Sequence, residues 1–214
     1  MPEPRWPPIP LMLVTDRRRT NDLVAAVDAA VEGGVDLVQL REKDLPAGEI
    51  LQLARRLRGV TAGRALLMIN DRVDVALLCG ADGVQLGERG LPVAAVRALL
   101  PAPLLVGRSV HDVRGARQAE LDGADYLLLG TLFPSRSHPE RLAAGLGLLD
   151  EVAARVSIPI LGIGGIGPAE AAACREHGAA GAAVIDAILG AADPRAAAAV
   201  LCDALRTLSP SPLV

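Results

Sequence analysis

The chain has 214 residues, is 51% hydrophobic and 22% charged, and carries a formal net charge of -3, a profile suited to one sizeable core of the large α/β kind. Its 22 basic residues are scattered and its aromatic residues are limited to Trp6, Tyr126 and Phe133, which leaves neither an electrostatic footprint nor a stacking platform for nucleic acid. No apolar run approaches the length of a membrane span, the Pro-rich start cannot form the helical core of a signal peptide, and the widely spaced Cys79, Cys174 and Cys202 read as small buried hydrophobes of a reducing, cytoplasmic compartment rather than disulfides or a metal site.

Residues 1–10, with Pro2, Pro4, Pro7, Pro8 and Pro10, read as an extended tail, and residues 209–214 as a second one. Between them short apolar runs alternate with longer amphipathic, Ala- and Arg-rich runs, the signature of repeated βα units around a parallel sheet. The pattern predicts strands near 11–15, 36–41, 65–69, 83–86, 104–107, 125–130, 159–163 and 181–185. Helices are predicted near 21–32, 47–59, 72–79, 92–100, 112–122, 145–156, 168–177 and 194–208. Eight such pairs over residues 11–208 suit a single-domain closed (β/α)8 TIM barrel better than an open sheet. An internal echo points the same way: Gly34-Val35-Asp36, Gly80-Ala81-Asp82, Gly123-Ala124-Asp125 and Gly178-Ala179-Ala180-Gly181 all precede even-numbered strands. Glycines there fit the left-handed stop of a helix, and Pro92, Pro168 and Pro194 fit first turns, so these positions speak for fold rather than function.

In a barrel the chemistry sits where strands end, so the polar residues at those ends are the candidates. After the first strand, Arg17, Arg18 and Arg19 read as a solvated loop, with phosphate steering as the alternative. The second strand runs into Gln39-Leu40-Arg41-Glu42-Lys43. Strand alternation sends Gln39, Arg41 and Lys43 to one side, where two cations and an amide would meet a phosphate or pyrophosphate; the alternative is simple pairing with Glu42 or Asp44. The third strand ends in Asn70-Asp71, where Asp71 serves equally well as a helix N-cap. The fourth ends in Gln85-Leu86-Gly87-Glu88, and the fifth in Gly107-Arg108-Ser109-Val110-His111. His111 is a candidate acid or base near neutral pH. The long stretch Gly130 to Ala144 has the length of a lid or binding loop, and Gly162-Ile163-Gly164-Gly165 ahead of a helix lets backbone N–H groups approach a phosphate.

Taken with Asn70-Asp71-Arg72-Val73-Asp74, Ala81-Asp82-Gly83-Val84-Gln85-Leu86-Gly87, Ser109-Val110-His111, Gly123-Ala124-Asp125-Tyr126 and Phe133-Pro134, these segments resemble the family that contains thiamine phosphate synthase and its relative, the TenI-type thiazole tautomerase, over roughly residues 11–200. Synthases of that family join a pyrimidine diphosphate to a thiazole phosphate and release pyrophosphate with Mg2+; the tautomerase moves a proton within a thiazole phosphate carboxylate. The resemblance implies that Arg41, Lys43, Asn70 and Ser109 contact the anion or the pyrimidine diphosphate, beside the Gln39 that strand alternation places with them, that Asp71 is a Mg2+ ligand in a synthase, that Ser135 and Ser137 face the thiazole carboxylate, and that Gly164 and Gly165 hold the thiazole phosphate. Three departures stand out. Gly90 occupies the place of a second Mg2+-binding Asp, His138 that of a pyrophosphate-neutralising Lys, and Asp186 that of a Ser beside the phosphate. They lead to the expectation of a tautomerase that needs no cofactor and uses His111 as proton carrier, with the Mg2+-dependent synthase and a non-catalytic phosphate-ligand binder as alternatives. The expected partners are small phosphorylated substrates, with neither nucleic acid nor membrane; self-association stays open.

Overall fold

Leu11–Val14 (β1) and Leu37–Leu40 (β2) are buried at every position, as strands covered on both faces must be. The computed structural model describes residues 6–100, 104–134 and 142–207. In it the remaining strands are Leu66–Asn70 (β3), Gly83–Leu86 (β4), Leu105–Val110 (β5), Tyr126–Leu129 (β6), Ile160–Ile163 (β7) and Gly181–Val184 (β8). All eight pair in parallel, each with its sequence neighbour, and β8 closes on β1 through Leu11 beside Ala182 and Leu13 beside Val184. Outside the ring run Leu23–Glu32 (α1), Ala47–Thr61 (α2), Val73–Cys79 (α3), Val93–Leu99 (α4), Val113–Leu121 (α5), Leu146–Ala153 (α6), Pro168–Glu176 (α7), Asp186–Leu189 (α8) and Pro194–Arg206 (α9). The protein is therefore a single-domain (β/α)8 barrel.

Two apolar layers result. One lies between strands and helices; the other fills the barrel with Met12, Val14, Leu37, Met68, Tyr126, Leu128, Leu161 and Ala183. Trp6 packs on Tyr126 with ring centroids 4.8 Å apart, so the end of the supposed tail is tied to the barrel floor, and Pro10 is buried with its carbonyl accepting from Ala182 N–H at 3.1 Å. Tying down the tail that way stacks two of the chain's few aromatic rings.

The quarter-turn echo has a physical cause. Gly34, Gly80, Gly123 and Gly178 all take positive φ, between 65° and 105°, where a side chain is strained. Two residues later Asp36, Asp82 and Asp125 accept the first free N–H of the preceding strand: Leu11, Leu67 and Val106, at 3.0, 2.7 and 2.6 Å. Each carboxylate stitches an even strand to the odd one before it. The fourth echo carries Ala180 instead.

Several boundaries differ from the sequence pattern. β5 continues to Val110 rather than stopping at residue 107, so Ser109 is a strand residue. α8 was hidden in a segment too short to show a period, α6 stops at Ala153, and α9 stops at Arg206 rather than residue 208. Among the cysteines, Cys174 and Cys202 are buried and burial pushes both thiols up to about 11; Cys79 is only half-buried.

Asp82 also takes two bonds from Arg58, at 2.6 and 3.2 Å. Replacing it by Ala leaves a strand N–H and a guanidinium without their acceptor, and Asp82→Ala should lower unfolding free energy in urea by about 1–3 kcal/mol.

Candidate active site

The C-terminal ends of the strands surround one cavity of about 590 Å³. Its β3 side is built around Asp71, which has φ 56° and is the one non-Gly residue with positive φ among the described residues. That conformation, costly for most side chains but tolerable for Asp, turns the carboxylate across to β4. Gly87 N–H donates to Oδ1 at 2.7 Å and Asn70 Nδ2 donates to Oδ2 at 2.9 Å. Asn70 in turn accepts from Gln39 Nε2 at 2.9 Å. Capping does not account for Asp71, since Arg72 occupies the N-cap of α3 and makes no side-chain capping bond. Gly90 lies directly against this carboxylate: a Cβ there would come within 2.5 Å of Asp71 Oδ1. Ser109, on β5, is oriented by Gln85, whose Nε2 donates to its hydroxyl at 3.1 Å.

On the β2 side, the Arg41 guanidinium is not what Glu42 and Asp44 pair with. Both carboxylates go to Arg17, at 3.2 Å for Glu42 and 2.7 Å for Asp44. Glu42 is buried and also takes the Thr15 hydroxyl at 2.8 Å and Arg17 N–H at 3.0 Å; Arg41 N–H donates to that same threonine oxygen at 2.9 Å. The guanidinium of Arg41 has no ion pair within 4.0 Å among the described residues, and burial pulls its pKa down, opposed by Asp16, Asp71 and Glu42. A half-desolvated cation beside a cavity is suited to an anion.

His111 follows the end of β5. Its Nδ1 meets the carbonyl of Gly130, which can only accept, so the Nδ1 proton is fixed there. Nε2 lies 3.4 Å from a carboxylate oxygen of Glu88. Across the cavity, Gly164 and Gly165 have φ 100° and 65°, and a Cβ on Gly165 would lie 2.3 Å from the carbonyl of Pro134. Asp186 opens α8, and its carboxylate is turned to Arg19, at 3.1 Å.

Gln39, Arg41, Lys43, Asn70 and Asp71 from one half of the rim and Ser109, His111, Gly164, Gly165 and Asp186 from the other all line the same cavity. Ser135, Ser137 and His138 lie outside the described residues. Sequence reasoning did not foresee three pairings: Arg17 with Glu42 and Asp44, Gln85 with Ser109, and Glu88 with His111. Gln85 had a readable signal, a polar side chain in the middle of a buried strand. The other two act through partners far away in sequence or across strand ends.

Rim cations, backbone amides beside a glycine pair and a buried polar network define a barrel enzyme for small anionic substrates. The sequence profile of the thiamine monophosphate synthase family matches residues 11–188. The thiamine-phosphate synthase of Anaeromyxobacter dehalogenans (strain 2CP-C) is 50% identical over 182 residues, 83% of this chain and 81% of that protein. That of Roseiflexus castenholzii (strain DSM 13941 / HLO8) is 44% identical, over 89% and 86% of the two chains. The solved structure of thiamine phosphate pyrophosphorylase from Pyrococcus furiosus superposes with a TM-score of 0.85 at 38% identity, covering 93% of this chain and 96% of that one. The chain belongs to the thiamine monophosphate synthase family and is an enzyme of that family.

Glu42→Gln keeps the shape but weakens every bond to Arg17 and Thr15. We expect a loss of about 1–3 kcal/mol in urea unfolding, together with weaker pyrophosphate binding by calorimetry as the β2 end loosens.

Proposed function

We propose that this protein is a thiamine-phosphate synthase, coupling a hydroxymethylpyrimidine diphosphate to a thiazole phosphate. In this reaction the bond between the pyrimidine methylene carbon and the diphosphate oxygen breaks, the oxygen keeping the electron pair. A new bond forms from the thiazole nitrogen to that carbon, and pyrophosphate leaves. The observation that carries the reading is Asp71: a carboxylate in a left-handed conformation, fixed by Gly87 N–H and Asn70, facing the cavity. The synthase name of the 50% identical relative supports the same choice over the tautomerase.

Mg2+ fits this donor set. Each oxygen of Asp71 takes one hydrogen bond and keeps acceptor capacity, and Mg2+ is commonly held by one or two carboxylates with substrate phosphates and water completing its shell. The glycine at position 90 therefore does not exclude a synthase, although no group of three His, Cys, Asp or Glu able to hold a metal occurs among the described residues. When bound, Mg2+ supplies neutralisation of the leaving pyrophosphate. Arg41 and Lys43 hold the diphosphate and stabilise the charge it gains, Gln39, Asn70 and Ser109 orient the pyrimidine, and the backbone at Gly164 and Gly165 holds the thiazole phosphate. No helix among the described residues is long and apolar enough to cross a membrane.

A second reading, the thiazole tautomerase, is favoured by one observation: His111 lines the cavity with Nδ1 on the carbonyl of Gly130 and Nε2 beside Glu88. The two readings separate by variant. Under the synthase reading Asp71→Asn, which keeps the shape and tolerates the backbone, lowers Mg2+-dependent pyrophosphate release about a hundredfold or more, while the protein stays folded. Under the tautomerase reading Asp71→Asn leaves thiazole isomerisation intact and His111→Ala removes about a hundredfold to ten-thousandfold of it.

A further inference from the structure

The run Arg17-Arg18-Arg19 forms a 3-10 turn above the β1 end, and its three guanidiniums have three different tasks. Arg17 holds Glu42 and Asp44. Arg18 clamps Asp16 through bonds of 2.8 and 3.0 Å, the main cause of that carboxyl's lowered pKa. Arg19 reaches away from this cluster: its Nε is 3.6 Å from Asp16 but 3.1 Å from Asp186, on the far side of the barrel closure at the β8 end. Both members of the Arg19 pair are about one-third exposed, 36% and 31%, so the pair adds little to stability. Its position is more telling. Asp186 shares the wall of the main cavity with Gly164 and Gly165, and Arg19 lines a smaller cavity of about 330 Å³ that shares Arg41, Lys43 and Ile185 with the larger one. A carboxylate at this corner would repel a phosphate dianion unless its charge is cancelled and its oxygens are drawn aside.

We propose that Arg19 is a positioning residue for phosphate recognition: by pairing with Asp186 it draws that carboxylate off the phosphate corner and cancels its charge, which lets an acidic residue stand at the end of β8. The inference rests on the reading that the corner beside Gly164 and Gly165 takes a phosphate group. It makes the arginine run, which composition alone assigns to solvent, part of the site. It also makes Arg19 and Asp186 a coupled pair, since the harm done by losing Arg19 comes through Asp186.

The test is a double-mutant cycle on inorganic phosphate affinity, followed by 31P NMR titration of wild type, Arg19→Ala, Arg19→Lys, Asp186→Ser and the double variant Arg19→Ala/Asp186→Ser. Arg19→Ala should weaken phosphate binding about tenfold or more, equivalent to about 1.4 kcal/mol. Arg19→Lys should stay within about threefold of wild type, because the charge is retained. Asp186→Ser alone should change affinity by less than about tenfold, and adding it to Arg19→Ala should recover most of the loss. Equal affinity of Arg19→Ala and wild type, a double variant no better than Arg19→Ala, or a wild type that takes no phosphate overturns the proposal. If the cycle holds on inorganic phosphate while thiazole phosphate fails to bind, the pair stands and the synthase reading falls.

Discussion

A carboxylate held at a barrel rim must be given hydrogen-bond donors without being neutralised, and the Asp71 carboxylate is where this protein meets that constraint. Its donors are a backbone N–H of the β4 exit and the amide of Asn70, both uncharged. Neither donor brings a compensating charge to the carboxylate. The surrounding architecture follows from it: Gln39 orders Asn70 from the buried face of β2, and Gly90, where a Cβ would come within 2.5 Å of Oδ1, leaves that oxygen uncrowded. A single carboxylate flanked by neutral donors is a sparse arrangement, and it makes the substrate's own phosphates part of any metal shell.

The positive half of the rim is kept apart from the negative half by the same economy. Arg17 binds Glu42 and Asp44, which alternate with Arg41 and Lys43 in sequence. The buried Glu42, bonded to Thr15 and to the backbone of Arg17, fixes the β1 and β2 exits against one another. Partly buried and with its carboxylate neighbours engaged elsewhere, Arg41 meets the cavity as a weakly hydrated cation suited to phosphate oxygens.

Much of the fold was legible because its signals are local. Helix-stop glycines at 34, 80, 123 and 178 and apolar runs of four residues are short-range facts, and they fixed the strand count and order. The Asp of the echo was visible but its reason was not, since the N–H groups it accepts lie 15 to 25 residues away. The same limit explains the site. Gln39, Arg41, Asn70 and His111 could be picked from their places at strand ends, whereas the division of labour among Arg17, Arg18 and Arg19 depends on partners brought close only by barrel closure. Asp71 was ambiguous in sequence because a cap and a rim ligand occupy the same position; its φ and its bond across to Gly87 decide against the cap. Gly90 as a lost metal ligand favours proton transfer only where nothing replaces the missing carboxylate, and oxygen donors from a diphosphate and from water can take its place in a Mg2+ shell.

The central claim is that one rim carboxylate, with Arg41 and Lys43 opposite, suffices for diphosphate displacement. Purified protein incubated with the pyrimidine diphosphate, thiazole phosphate and Mg2+ should release pyrophosphate on the order of once per second, with one thiamine phosphate formed for each pyrophosphate by mass spectrometry and the reaction lost on chelation with EDTA. Isomerisation of the thiazole phosphate carboxylate without any coupled product, at a rate indifferent to EDTA, would contradict the account and leave His111 as the centre of the chemistry.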